Sequence, residues 1–103
     1  MHPIKRIEIV ANSFELSKIL DGIKQAGVTG YIVIRNVAGQ GFRENAEDLD
    51  MTMLDNVYLI AFCPPEKIKP TVEIIRPILN KFGGTCYISD AMEIRSVRCV
   101  ASM

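Results

Sequence analysis

The chain has 103 residues, an apolar share of 49% and no tryptophan, which suits one globular domain with a single core and excludes a disordered chain. Its twelve basic and twelve acidic side chains cancel, so no net charge attracts nucleic acid or an anionic membrane. No apolar run reaches the roughly 20 residues that span a bilayer, and MHPIKRIEIV lacks the order of a secretory signal. We therefore expect a cytoplasmic protein that binds no nucleic acid and does not insert into membranes.

The cysteines, Cys63, Cys86 and Cys99, are odd in number and lack CxxC spacing. They lie in or beside apolar segments, where a thiol behaves as a small apolar side chain. His2 is the only histidine. We therefore expect reduced structural thiols, no His/Cys metal site and no Cys/His nucleophile pair.

The first strand and helix are predicted from two different periodicities. Residues 4–11 alternate between apolar and polar side chains, which predicts a strand exposed on one side. Asn12 or Ser13 can cap a following helix, and Glu15 completes a capping-box spacing from Asn12. The helix is expected to end near Gly27, and its apolar stripe consists of Leu16, Ile19, Leu20 and Ile23.

Two runs rich in β-branched and aromatic residues, 30–37 and 56–63, predict strands that pair with each other at the centre of a sheet. The segment between them, residues 38–55, is far longer than the roughly 2 to 5 residues of a hairpin loop. Connections of such length are usually functional or disordered.

The second helix is predicted from an apolar stripe that persists despite three prolines. Pro65 and Pro70 suit a first turn, whereas Pro77 removes the amide that would bond to Glu73 and is expected to kink the helix. Gly83 is expected to end it. The stripe consists of Ile68, Val72, Ile75, Leu79 and Phe82.

TCYIS, residues 85–89, predicts the last strand, and MEIRSVRCV a final extended segment. The order β, α, β, long loop, β, α, β predicts one α+β domain over residues 1–103, a ferredoxin-like βαββαβ sandwich with an antiparallel sheet and two helices on one face. The opposite face has no helix to cover it, so we expect a homo-oligomer in which these faces pack together. The apolar side chains assigned to that face are Val33, Tyr58, Ile60 and Ile88.

The sequence VAGQGFR begins the long segment and offers an anion site. Gly39 and Gly41 allow backbone amides to approach an anion, and the guanidinium of Arg43 suits a phosphate. An equally good interpretation is that the glycines only end a strand and that the arginine is solvated.

A second candidate anion site lies in KFGGTCY. Gly83 suits a helix stop, whereas Gly84 has less structural reason to be glycine and, with Thr85, can form an amide cradle. Arg95 and Arg98 are two further donors, although such arginines often serve only solubility.

The acidic residues of ENAEDLD, residues 44–50, lack the DxDxDG order of a calcium loop. We therefore expect residues 44–50 to form a solvated loop rather than a calcium site. The sharper alternative is a loop that orders when a ligand or protein partner binds.

Taken in order, these pieces resemble the PII signal-transduction superfamily, and within it the PII-like proteins of the carbon-regulatory SbtB type. KRIEIVANSFEL resembles the first strand and helix start, AGVTGY the turn into the second strand, and VAGQGFR the base of the T-loop. KFGGTCYISDAMEIRSVR resembles the B-loop, the fourth strand and the terminal arginine region. The resemblance covers nearly the whole chain.

This resemblance implies a homotrimer that binds an adenine nucleotide of the AMP, ADP or cyclic AMP class in clefts between subunits. It implies a T-loop at about residues 38–55, which contacts a membrane transporter or metabolic enzyme, and a B-loop at about residues 82–86. The nucleotide would be an effector rather than a cofactor, and the protein a regulator in carbon or nitrogen metabolism rather than an enzyme. The implied binding residues are Gly39, Gly41, Arg43, Gly83, Gly84, Thr85, Arg95 and Arg98.

The sequence also departs from its relatives. Nitrogen-type PII proteins have a lysine at the position of Thr85, where it meets the ATP phosphates, and a tyrosine in the T-loop that accepts uridylylation. Neither is present here. Asn45 and Ala46 stand where SbtB-type proteins often carry further arginines, and the cysteine pair at their C-terminus is not matched after Cys99.

Two alternatives belong to other functional classes. GQGFR resembles the QGVGFR motif of acylphosphatases, but that motif lies between the first strand and the first helix. The other alternative is a trimeric structural or metal-tolerance protein of CutA-like architecture, with no nucleotide site. That interpretation would leave the glycines and the arginine of VAGQGFR without a role.

Overall fold

The computed structural model describes residues 1–37 and 56–95. Four strands and two helices are found there, and each helix is preceded by a short 3₁₀ turn, Ser13–Glu15 or Pro65–Lys67. Several residues discussed above lie outside this part of the chain: Gly39, Gly41, Arg43, Arg98 and Cys99. In chain order, the elements are β1 His2–Asn12, α1 Leu16–Gln25, β2 Tyr31–Val37, β3 Asn56–Cys63, α2 Ile68–Phe82 and β4 Thr85–Glu93.

The strands form one sheet in the order β2-β3-β1-β4, and every neighbouring pair is antiparallel. The chain forms two βαβ units, β1-α1-β2 and β3-α2-β4. In the sheet, β3 lies between the two strands of the first unit, and β1 lies between the two strands of the second. The predicted ferredoxin-like arrangement is therefore confirmed. The prediction that β2 and β3 pair is confirmed, but β2 lies at the edge of the sheet and not at its centre.

Strands β1 and β4 are longer than the apolar patterns predict. They pair with each other from His2 opposite Glu93 to Val10 opposite Thr85. The backbone N–H and C=O groups of each strand form hydrogen bonds with those of the other. The pairing therefore continues beyond the segments 4–11 and 85–89 that were predicted from the sequence.

The predicted helix ends agree closely with the structure. The Asn12 side chain accepts a hydrogen bond from the Phe14 amide at 2.9 Å, so it caps the 3₁₀ turn that leads into α1. Helix α2 continues through Pro77 to Phe82. Near its start, the Thr71 hydroxyl donates to the Lys67 carbonyl at 2.7 Å, which satisfies a buried polar group.

The core lies between the sheet and the two helices. Residues at alternate positions of β1 and β3 point towards the helices and are buried, as the alternation predicts. Gly22 of α1 allows close contact with α2, because a Cβ there would lie 2.7 Å from the Ile74 side chain. The core residues include Ile7, Ile9, Ala11, Leu16, Ile19, Ile23, Val57, Leu59, Ala61 and Ile75.

The face of the sheet away from the helices, here called the open face, contains only two of the four predicted side chains. Tyr58 and Ile60 lie on it. Val33 and Ile88 do not, because they pair with the core residues Leu59 and Ile7 and therefore share the helix face. Ile88 is nevertheless 40% exposed, because an open groove of about 380 Å³ separates α2 from β4.

We expect Ile75→Ala to destabilise the fold by roughly 2 to 5 kcal/mol, since it removes a side chain packed between α2 and the sheet. Ile75 is 2% exposed. Glu73→Ala, at an exposed position of the same helix, is the matched control. Denaturant unfolding measures both, and equal stability of the two variants would contradict this packing.

Candidate functional site

The candidate site lies at one end of the sheet, where four chain segments meet. Val37, the last residue of β2, pairs with Asn56, the first residue of β3. Asn56 also pairs with Asn12 at the end of β1. At the same end Thr85 begins β4 opposite Val10. Val37 and Asn56, the residues that flank segment 38–55, therefore share one end of the sheet with the predicted B-loop.

Within one subunit, however, the two parts of the predicted site are separated. Strands β2 and β4 are the two edges of the sheet, three strand spacings apart. At about 4.8 Å for each spacing, Val37 and Thr85 are about 14 Å apart across the sheet. Val37 and Thr85 of one subunit are therefore not in contact with each other.

Gly83 has the structural role that was predicted for it, the end of α2. Its φ of 86° is a conformation that glycine adopts without strain. Its amide donates to the Leu79 carbonyl at 2.8 Å. That amide is therefore already engaged and is not an open donor for an anion.

Gly84 has a structural reason to be glycine, contrary to the sequence-based interpretation. Its φ is 120°, and a Cβ would lie 2.9 Å from the Val10 carbonyl oxygen and 3.0 Å from Leu79 Cδ2. The loop thus lies directly against the end of β1. This close approach is invisible in the sequence, because it depends on which strand β4 pairs with.

The remaining donors of the predicted B-loop are neutral. In the part of the chain that is described, the Gly84 amide donates no hydrogen bond outside the strand ladder, and the Thr85 hydroxyl has no partner. Thr85 pairs with Val10, so both side chains lie on the open face. Two neutral donors can hold a phosphate oxygen, but the cation that balances its charge must come from elsewhere.

Arg95 is not brought near the B-loop of its own subunit. It follows β4 at the opposite end of the sheet, where its Nε donates to Glu93 Oε1 at 2.9 Å. From Thr85 to Glu93 the strand extends about 26 Å, at about 3.3 Å per residue. Its part in ligand binding stays a prediction.

The described cysteines have the chemistry of buried thiols. Burial raises the pKa of Cys86, and burial together with Glu66 raises the pKa of Cys63. Both thiols are therefore poor nucleophiles at neutral pH. Within residues 1–37 and 56–95, no group of three or more His, Cys, Asp or Glu side chains is placed to hold a metal ion, and neither helix is long and apolar enough to span a membrane.

Gly84→Ala should destabilise the protein by about 1 to 3 kcal/mol, because it adds a Cβ at a positive φ and against the Val10 carbonyl. Gly30→Ala is the control, since a Cβ there has nothing within 4 Å. Chemical denaturation of both variants tests this, and a Gly84→Ala protein as stable as Gly30→Ala would disprove the close contact.

Comparison with known proteins places the chain in a family. The family model of nitrogen regulatory protein P-II matches residues 4–98. Among solved structures, the chain is similar to CPII, a nitrogen regulatory PII-like protein from Thiomonas intermedia K12. The CPII structure bound to ADP, AMP and acetate is 26% identical, with a TM-score of 0.78 and 91% of each chain covered. The structure bound to ADP, AMP and bicarbonate is also 26% identical, with a TM-score of 0.75 over 91% of this chain and 93% of that one.

A more distant structure supports the fold alone. A PII-like signalling protein from Thermus thermophilus is 20% identical, with a TM-score of 0.72 over 91% of this chain and 92% of that one. No curated protein matches the chain. The family match extends from β1 past the end of β4, and the strand order and helix positions agree with it. The chain therefore belongs to the P-II family.

Proposed function

We propose that this protein is a homotrimeric PII-like sensor that binds an adenine nucleotide of the AMP, ADP or cyclic AMP class between subunits. Nucleotide binding changes the conformation of the T-loop, residues 38–55, which contacts a membrane transporter or metabolic enzyme. The proteins of this family are in general signalling proteins rather than enzymes. In this proposal, residues 1–103 form one PII-like domain of the SbtB type.

One observation carries the proposal: Val37 and Asn56, which flank the T-loop, share one end of the sheet with the B-loop, yet Val37 and the B-loop lie on opposite edges. Val37 and Thr85 are separated by three strand spacings, about 14 Å. A nucleotide can contact the T-loop base of one subunit and the B-loop of its neighbour. Binding of such a ligand changes the conformation of the T-loop because the ligand contacts the residues at which that loop begins.

The open face supports self-association. Four large side chains on it are substantially exposed in the single subunit, an arrangement that a monomer in water would not favour. Covering them with other copies of the same chain removes this apolar surface from water. The exposed fractions are 58% for Ile32, 45% for Ile34, 43% for Phe62 and 55% for Tyr87.

The expected ligand class follows from the donors at the B-loop. Gly84 and Thr85 offer an amide and a hydroxyl but no charge, so this loop suits a ligand with fewer phosphates than ATP. Arg43, at the T-loop base, would supply the cation. The similar protein CPII is described as bound to ADP and AMP, which agrees with this class.

The topology speaks against the acylphosphatase alternative. In the structure, β1 is followed directly by the turn Ser13–Glu15 and α1, and that connection contains no arginine. Arg43 falls in the sequence between β2 and β3 instead. The arginine is therefore not at the position where acylphosphatases hold their substrate.

Calorimetric titration with AMP, ADP and cyclic AMP tests the proposal, and at least one should bind. Arg43→Ala should weaken that binding by about 1.5 to 3 kcal/mol, roughly 10- to 150-fold, because it removes a charge-assisted contact. Lys24→Ala removes a cation from an exposed position in the last turn of α1 and should leave the affinity unchanged.

Three other outcomes would change the conclusion. Absence of binding by all three nucleotides at millimolar concentration would refute the sensor. Thermal stability that no nucleotide alters would favour a structural CutA-like trimer, because a ligand at 100 times its Kd should add about 2.7 kcal/mol. Hydrolysis of acetyl phosphate that disappears in Arg43→Ala would favour the acylphosphatase.

A further inference from the structure

The open face is not uniformly apolar, since a polar cluster of Arg6, Glu8, Tyr58 and Ser89 crosses its centre. Arg6 Nε lies 3.1 Å from Glu8 Oε1 and donates to Ser89 Oγ at 3.0 Å. The Tyr58 hydroxyl donates to Glu8 Oε2. The cluster therefore joins the three strands β1, β3 and β4 on the side away from the helices.

The cluster is neutral and only partly covered. It contains one cation and one anion, with 45% of the Arg6 side chain and 26% of the Glu8 side chain exposed. The hydrogen bond to Glu8, and then burial, raise the pKa of Tyr58, so its hydroxyl keeps its proton and its hydrogen bond to Glu8 to a higher pH than a free tyrosine would. The two charges compensate each other within one subunit.

Donors and acceptors remain unused on both sides of this ion pair. Arg6 binds through Nε alone, and its terminal nitrogens have no partner among the described residues. Glu8 Oε2 accepts a hydrogen bond from the Tyr58 hydroxyl, Glu8 Oε1 lies in the ion pair with Arg6, and each oxygen has capacity for a further hydrogen bond. The cluster thus has free hydrogen-bond donors on Arg6 and free acceptor capacity on Glu8. Because donors pair with acceptors, it is complementary to a second copy of itself.

The charges of the cluster determine which kind of partner can bind to the open face, because the cluster contains both a cation and an anion. An acidic peptide or an anionic surface would repel Glu8, and a basic partner would repel Arg6. Another open face presents both groups together with matching apolar side chains, such as Ile32 and Phe62. Burying an ion pair in an apolar interface is tolerated only when its remaining hydrogen-bonding groups are satisfied.

We propose that Arg6 of one subunit binds Glu8 of a neighbouring subunit in the assembled protein, and that this contact fixes the register of the packed open faces. The inference rests on the self-association in the proposed function but not on nucleotide binding. Apolar side chains alone allow two open faces to pack in several registers. A charged side chain that is buried in the wrong register lacks its partner of opposite charge, so the correct register is favoured. Arg6 and Glu8 are in this sense positioning residues for the assembly.

Charge reversal tests the contact through the mass of the assembly in solution. Arg6→Glu gives a face with two acidic groups, and Glu8→Arg gives a face with two basic groups. Each variant alone should associate at least tenfold more weakly than the wild type, because like charges then meet in the interface. In an equimolar mixture, a trimer of two chains of one variant and one chain of the other has opposite charges at two of its three interfaces, so the mixture should associate more tightly than either variant alone. A role confined to one subunit does not predict that gain.

Native mass spectrometry and light scattering provide the readout, with circular dichroism to show that each chain is folded. Lys18→Glu and Glu15→Lys reverse an ion pair of 3.1 Å at the start of α1 and should leave the mass unchanged. If a reversal variant does not fold, Glu8→Gln keeps the size of the side chain and should still weaken association at least tenfold.

The outcomes separate this inference from the proposed function. Single variants that associate as tightly as the wild type, or a mixture that associates no more tightly than either variant alone, overturn the contact between subunits. A monomeric wild type overturns both the contact and the proposed trimer. Nucleotide titration of the wild type decides the sensor function independently.

Discussion

The two antiparallel ladders on either side of β1 are the constraint on which the rest of the structure depends. β1 pairs with β3 over Lys5 to Asn12 and with β4 over His2 to Val10. Because side chains alternate along a strand, this pairing sends Ile7 and Ile9 to the helices and Arg6 and Glu8 to the open face. A shift of one residue would exchange these two sets and place charges in the core.

The same ladders connect the fold to the candidate site. Since β4 begins opposite Val10, the turn before it lies against the end of β1, and only glycine fits at position 84. The site end of the sheet thus contains the predicted B-loop and the two residues, Val37 and Asn56, that flank segment 38–55, with β3 and β1 lying between Val37 and Thr85. Ligand binding and assembly are linked in the proposed function because a single subunit does not bring these parts together.

Sequence patterns predicted the elements well where a pattern has one structural interpretation. The alternation in β1, the cap at Asn12 and the helical stripe through Ile75 each have a counterpart in the structure. The patterns failed for Val33 and Ile88, since both lie in strands that are apolar on two sides and alternation no longer identifies the buried face. They also gave no signal for Gly84, because its neighbours Val10 and Leu79 come from other elements.

The sequence by itself determined the order of the elements, the family resemblance and the candidate residues, because these depend on local periodicity, capping and motif spacing. The tertiary structure decided which residues share a face of the sheet and which strand ends lie at the same end of the sheet. Both depend on strand pairing between segments that are distant in the sequence. The tertiary structure also joined Arg6 and Glu8 to Tyr58 and Ser89, residues that are far apart in the chain and carry no motif. Strand register is a property of the whole sheet, and no single segment of the sequence encodes it.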